Sequence, residues 1–246
     1  MTVTRRRHPF IRAIFRWLLF LFWCGIGLQV FFVSRIAMMR YVDPSSTAFQ
    51  RSEIWRISRK FHYLHWSQHW VANDKLPFHA QRAVIASEDD IFASHTGVQW
   101  EALERAWNKN ARAQAKAQAN NQAPKVVGGS TITQQLAKNL FLSGERTLFR
   151  KAQELILTIA LEHCLGKQRI LEIYLNSVEW GEGVFGLDAA AKHYFNHPAV
   201  QLSPWEAARL AVMLPRPKYY EKFPRSPYLQ ERASVILARM PAVALP

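Results

Sequence analysis

Seventeen consecutive residues, Trp17 to Val33, carry no charge and only one polar side chain, Gln29. Such a run belongs in a bilayer or in a fully buried core helix. A hydrocarbon core of ~30 Å needs about 20 residues, within a range of roughly 17–25, so the run is short but adequate for a span. Ser34 and the apolar stretch Ile36–Met39 lengthen it if Arg35 snorkels to the interface. Arg5, Arg6, Arg7, Arg12 and Arg16 precede it, which places that end in the cytoplasm. Arg35 and Arg40 follow it, so the asymmetry is moderate. A cleaved signal peptide ends in small residues in an A-x-A pattern, and no such site follows Gly27. The reading is a single-pass anchor. It divides the chain into a cytoplasmic basic tail (1–16), the anchor (17–37), a juxtamembrane connector (38–75) and an extracytoplasmic domain (76–246).

The formal net charge is +14, which favours polyanionic partners such as nucleic acid, anionic headgroups or phosphorylated substrates. Seven arginines and no acid lie in the first 40 residues, leaving 25 basic against 18 acidic side chains beyond. Half of the excess therefore belongs to the flanks of the anchor, and nucleic-acid binding is the weakest reading. The chain is 49% apolar and can bury a core. Its two cysteines, Cys24 in the anchor and Cys164, say nothing firm about compartment.

The connector mixes Trp55, Phe61, Tyr63, Trp66 and Trp70 with Arg51, Arg56, Arg59 and Lys60. That suits a headgroup region and suits packing against the domain equally well. From Leu76 onward the periodicity is helical. A helix is expected from Gln99 to Gln118, running into ARAQAKAQANNQAP and ended by Pro124. Thr131 and Gln134 form a capping box for a helix reaching Phe141. Thr147–Leu165 carries an apolar stripe that Gly166 ends. A helix over Lys167–Val178 leads to a loop at Gly181, Gly183 and Gly186. Ser203-Pro204-Trp205-Glu206 opens a helix that stops before Pro215. A short hairpin is the most sheet this pattern supports, and the fold class is mainly α.

Three polar clusters could carry chemistry. Ser87-Glu88-Asp89-Asp90, followed by Phe92, His95 and Gly97, has a bland reading as an N-cap with an acidic first turn. Gly128 to Phe141, GGSTITQQLAKNLF, reads either as an ordinary amphipathic helix or as a sugar-phosphate site, because Thr131, Gln134, Gln135 and Lys138 share one helical face. Arg150, Lys151 and Glu154 converge within one turn, and a surface ion pair worth ~0.3–0.5 kcal/mol would account for them locally.

Their order is more specific than any one of them. E-D-x-x-F-x-x-H-x-G, G-G-S-T-I-T-Q-Q-L-x-K-N-L, R-K-x-x-E, ILEIYLN and ARLAVMLPRP follow one another between Leu76 and Tyr220. Together they resemble the signature of glycosyltransferase family 51, the peptidoglycan glycosyltransferases, and SVEWGEGVFGLDAAAKHYF is similar to its monofunctional branch. No Ser is followed three residues later by Lys and K-T-G is absent, so a transpeptidase activity of the bifunctional kind is not expected.

The resemblance implies a lysozyme-like helical large lobe and a smaller membrane-proximal lobe over roughly Thr96–Lys125, with Trp100, Trp107, Lys109, Arg112 and Lys116 near headgroups. The stretch between the first two motifs is longer than the family's usual pattern. It implies transfer of a growing glycan from undecaprenyl diphosphate to lipid II with inversion. Glu88 would be the general base and Glu154 the second essential glutamate. Asp89 would position Glu88. Lys138, Arg150 and Lys151 would hold the diphosphate, and Phe92, His95, Ser130, Thr131, Gln134, Gln135 and Asn139 would complete the substrate site. A divalent cation, Mg or Mn, could assist at the diphosphate. Implied partners are lipid II, the growing chain, cytoplasmic membrane lipids and other cell-wall synthesis proteins. A lysozyme-like hydrolase or lytic transglycosylase, and a non-catalytic membrane scaffold, are the rival readings.

Overall fold

A computed structural model describes residues 9–61, 66–101, 104–105, 108–109, 112–113, 129–145 and 147–246. The basic tail up to residue 8 and most of the expected small lobe, including Trp107, Lys116 and the Ala/Gln/Asn tract, lie outside the described residues.

The chain is mainly helical. Helix α1 (Pro9–Met38) contains the apolar run, and its stretch Arg12–Met38 is the one described helix long and apolar enough to cross a membrane. Its last turns also meet the rest of the protein. Ile36 is fully buried and Met39 nearly so. Phe32 meets Phe141 edge-on at 5.4 Å, and Arg35 lies over the Phe141 ring. A guanidinium on an aromatic face keeps its charge solvated on one side while covering apolar surface on the other.

The connector is also part of the domain. Helix α2 (Ala48–Phe61) follows the anchor. Gln50 donates to the Ser177 carbonyl at 3.3 Å. Arg56 pairs with Glu182, and Glu53 with Lys218.

The remaining helices are α3 (Phe78–Glu88), α4 (Ile132–Phe141), α5 (Leu148–Leu165), α6 (Lys167–Ser177), α7 (Leu187–Phe195), α8 (Pro204–Met213), α9 (Pro217–Lys222) and α10 (Pro227–Arg239). Sequence punctuation sets most of these ends. Thr131 and Gln134 make the expected capping box, as do Ser203 and Glu206 with Pro204 at the first helical position. Thr147 caps α5 through the Arg150 amide. Gly166, at φ +76°, separates α5 from α6.

Residues 170–177 of α6 are buried all round, as expected of an axial core helix, and α6 packs on α4, α5 and α7. The sheet is small. Strands β2 (Glu179–Gly181) and β3 (Val184–Phe185) form the hairpin, and β1 (Ser67–Gln68) adds parallel to β3. Gly186 closes this hairpin at φ +81°, where an added Cβ would lie 2.7 Å from the Asn176 carbonyl oxygen. Gly186→Ala should therefore destabilise the domain by at least about 1–3 kcal/mol through backbone strain alone, read as a lowered thermal midpoint.

Glu179 is buried at this hairpin. Burial, with Glu53 adding repulsion, pushes its carboxyl up to about 7 despite Lys218 nearby. A folded value above the unfolded one means that stability present below the unfolded value of 4.5 is lost as pH rises through about 7. Glu179→Gln should then raise the melting temperature at pH 8 relative to the parent, with little difference at pH 4.

Candidate active site

The Glu88–Asp90 turn sits at the carbonyl end of α3, not at a helix start, because α3 ends at Glu88 and Asp89 is its C-cap. The N-cap reading of this acidic cluster is thereby corrected. A carboxylate at a helix C-terminus meets the negative end of the dipole, so its placement there is unfavourable locally and needs tertiary support.

Asp89 receives that support. It is 3% exposed and accepts from the Ile132 amide at 3.0 Å, from His95 Nε2 at 2.9 Å and from the Gln99 side chain. His95 Nδ1 in turn accepts from the Gly97 amide at 3.0 Å, which leaves the ring proton on Nε2, facing Asp89. Thr131 donates its hydroxyl to the Gly97 carbonyl at 2.6 Å. The first two motifs are thus tied together at the N-terminus of α4, where a carboxylate is favoured. Phe92 is fully buried under the Lys167 ammonium, 4.4 Å from its centroid, and packs edge-on against His95.

Glu88 is half-buried. Its Oε2 accepts from the Gln135 amide at 2.8 Å, and Gln135 Oε1 accepts from the buried Tyr174 hydroxyl at 2.9 Å. Burial raises the Glu88 carboxyl above its ordinary range. Asp89 pushes the same way, while hydrogen bonds from Gln135 and Ser87 and the charge of Lys138 pull back. A cavity of about 230 Å³ opens beside it, with Asp90, Gln99, Ser130, Thr131 and Arg239 in its wall.

The third motif lies on α5, which packs against α4. Glu154 is 3% exposed and is gripped by Arg150 Nη1 at 2.6 Å and by Lys151 Nζ. This is a buried carboxylate between two cations, not the exposed pair that spacing alone allowed. Arg150 Nε is buried without a hydrogen-bond partner. Buried donors are ordinarily paired, so this one marks the cleft as a place to look for an acceptor. The cleft here, about 330 Å³, is lined by Ser130, Lys138, Asn139, Arg150, Lys151 and Glu154, with Phe49 and Ser52 of α2 closing it.

The same helix therefore serves both cavities. Gln135 holds Glu88, Lys138 lies one turn on in the cationic cleft, and Ser130 before the helix borders both. Gln134 is buried and committed to the capping box through Thr131, so its amide supports the helix start rather than projecting into either cavity.

The transglycosylase family model matches residues 57–241. The chain belongs to this family. It is 50% identical to a biosynthetic peptidoglycan transglycosylase of Burkholderia thailandensis over 239 residues, covering 96% of this chain and 90% of the relative. A protein of the same description from Bordetella pertussis is 43% identical over 243 residues, covering 99% and 98%. The match begins inside α2, which packs against α4.

Sequence reasoning missed several residues that line or brace the two cavities. Tyr174 lay in a quoted motif, but its link to Gln135 needs the fold. Gln99, Phe49, Ser52 and Arg239 carried no local signal. Arg239 pairs with Asp90 at 3.2 Å from the far end of the chain. Among the described residues no cluster of three or more His, Cys, Asp or Glu is placed to hold a metal, and Glu154 is already engaged by Arg150 and Lys151.

Asp89→Leu should destabilise the protein by about 3 kcal/mol or more, since it strands the Ile132 amide and two side-chain donors at roughly 1–3 kcal/mol each. Chemical denaturation of the full chain checks this, and an unchanged midpoint would show that the Asp89 contacts carry no stability.

Proposed function

We propose that the chain polymerises lipid II into β-1,4-linked glycan, with Glu88 as general base and Lys138, Arg150 and Lys151 as the clamp for the departing undecaprenyl diphosphate. The observation that carries this reading is that one helix, α4, reaches both the base and the clamp. Gln135 of α4 holds the Glu88 carboxylate, while Lys138, about one turn away, lines the cleft with Arg150, Lys151 and Glu154.

The acceptor's 4-hydroxyl gives its proton to Glu88 as its oxygen bonds to the donor's anomeric carbon. The bond from that carbon to the diphosphate oxygen breaks, and the electron pair leaves with the phosphate. Proton transfer of this kind contributes typically 10²–10⁴-fold. A carboxylate raised by burial is a stronger base than one in water. The leaving diphosphate needs no proton, only positive charge arranged beforehand. Arg150, half of whose fork is engaged by Glu154, is oriented to use its remaining donors on phosphate. One displacement inverts an α-phosphate into a β-link.

The relatives' description as biosynthetic peptidoglycan transglycosylases supports this substrate class, as does the missing S-x-x-K motif for a polymerase that does not crosslink. The arginines before α1 support a cytoplasmic N-terminus and a domain facing outward from the bacterial cytoplasmic membrane. Other cell-wall synthesis proteins are the partners in keeping with this role. A hydrolase reading would leave the cationic cleft without purpose.

Full-length protein incubated with lipid II should yield long glycan and undecaprenyl diphosphate. Unchanged lipid II beside degraded sacculi would overturn the proposal in favour of hydrolysis. Glu88→Gln should lower turnover at least about 100-fold while membrane attachment and melting temperature are preserved. The acid limb of the pH–rate profile should lie above pH 4.5, because burial raises the Glu88 value. Gln135→Leu removes a hydrogen bond that favours the ionised form, so the limb should move to still higher pH.

A further inference from the structure

Gln29 is the one polar side chain of the apolar run, and it is not idle. Its Nε2 donates to Gln153 Oε1 at 2.8 Å, and Gln153 Nε2 donates back to Gln29 Oε1 at 3.0 Å. This reciprocal amide pair joins residues 124 apart in sequence. Gln153 immediately precedes Glu154, and α5 also carries Arg150 and Lys151. One and two turns further along α1, Phe32 and Arg35 grip Phe141, the last residue of α4, on which Lys138 lies one turn earlier. The two helices that carry every cation of the clamp are thus both held by the anchor.

We propose that Gln29 and Gln153 are positioning residues for the glycosyl transfer, so that the anchor helix is a working part of the diphosphate clamp. Apolar packing between helices tolerates sliding and rotation, because one aliphatic contact resembles the next. A two-point amide pair has one register, and at the apolar edge of a membrane neither amide has water to fall back on. It therefore fixes the rotation of α1 against α5 and the axial position of Arg150, Lys151 and Glu154 relative to Lys138. Catalysis by prearranged charge is sensitive to such placement.

This inference rests on the proposed function, and the test separates the two. Wild-type, Gln29→Met, Gln153→Met and the double variant Gln29→Lys/Gln153→Glu are compared as full-length proteins in bilayers with lipid II. If wild-type protein makes no glycan, the function fails and the clasp falls with it. If wild-type polymerises, each Met variant should lose about tenfold or more in kcat/KM. Membrane-bound fraction and melting temperature should stay near wild-type values. The Lys/Glu pair, which restores a polar link, should regain at least half of the activity. Met variants as active as wild-type, losses that merely track lost folded protein, or a Lys/Glu pair no better than the single variants would each overturn the proposal.

Discussion

The buried carboxylate of Asp89 holds the first two sequence motifs together. It takes the Ile132 amide, His95 and Gln99 at once, and so fastens the carbonyl end of α3 to the amide end of α4. Those two helix ends attract opposite charges. A carboxylate between them is repelled by one and drawn to the other, and its three donors decide the balance. Glu88, one residue earlier, inherits a fixed position from this knot. It shares none of Asp89's three donors, and burial raises its carboxyl.

A second buried carboxylate organises the third motif. Glu154 draws Arg150 and Lys151 into one place and uses only part of the guanidinium in doing so. The two carboxylates act alike as supports, each holding polar groups at the edge of a cavity. Neither is on the surface, where the same pairs would be worth little. Helix α4 lies between them, and its capping box makes its start, hence the position of Gln135 and Lys138, insensitive to local fraying.

Much of this was legible in the sequence. Helix boundaries at Thr131, Thr147, Gly166 and Ser203 follow from capping chemistry, which is local. The convergence of Arg150, Lys151 and Glu154 follows from helical spacing. Tertiary facts were not legible. The N-cap reading of Ser87–Asp90 failed because an acidic run before polar residues looks the same at either end of a helix until its packing is known. Gln134 shared a face with Gln135 on a helical wheel, yet capping turned it inward. The connector read both ways because aromatics beside cations serve packing and headgroups equally, and Gln50, Glu53 and Arg56 show its packing only through partners more than 120 residues away.

The packing of the outer turns of α1 on the domain has a further consequence for where reactions can occur. A helix that ended its span before meeting the domain would let the site swing at any height above the lipid. Here Phe32 and Arg35 meet Phe141 and Ile36 is buried, so the cationic cleft keeps a fixed distance from the apolar run. On the function proposed above, a diphosphate carried on a membrane-embedded tail would reach the cleft without lifting its chain from the bilayer, whereas a soluble sugar diphosphate would gain nothing from it. Selection between the two would then be partly a matter of elevation.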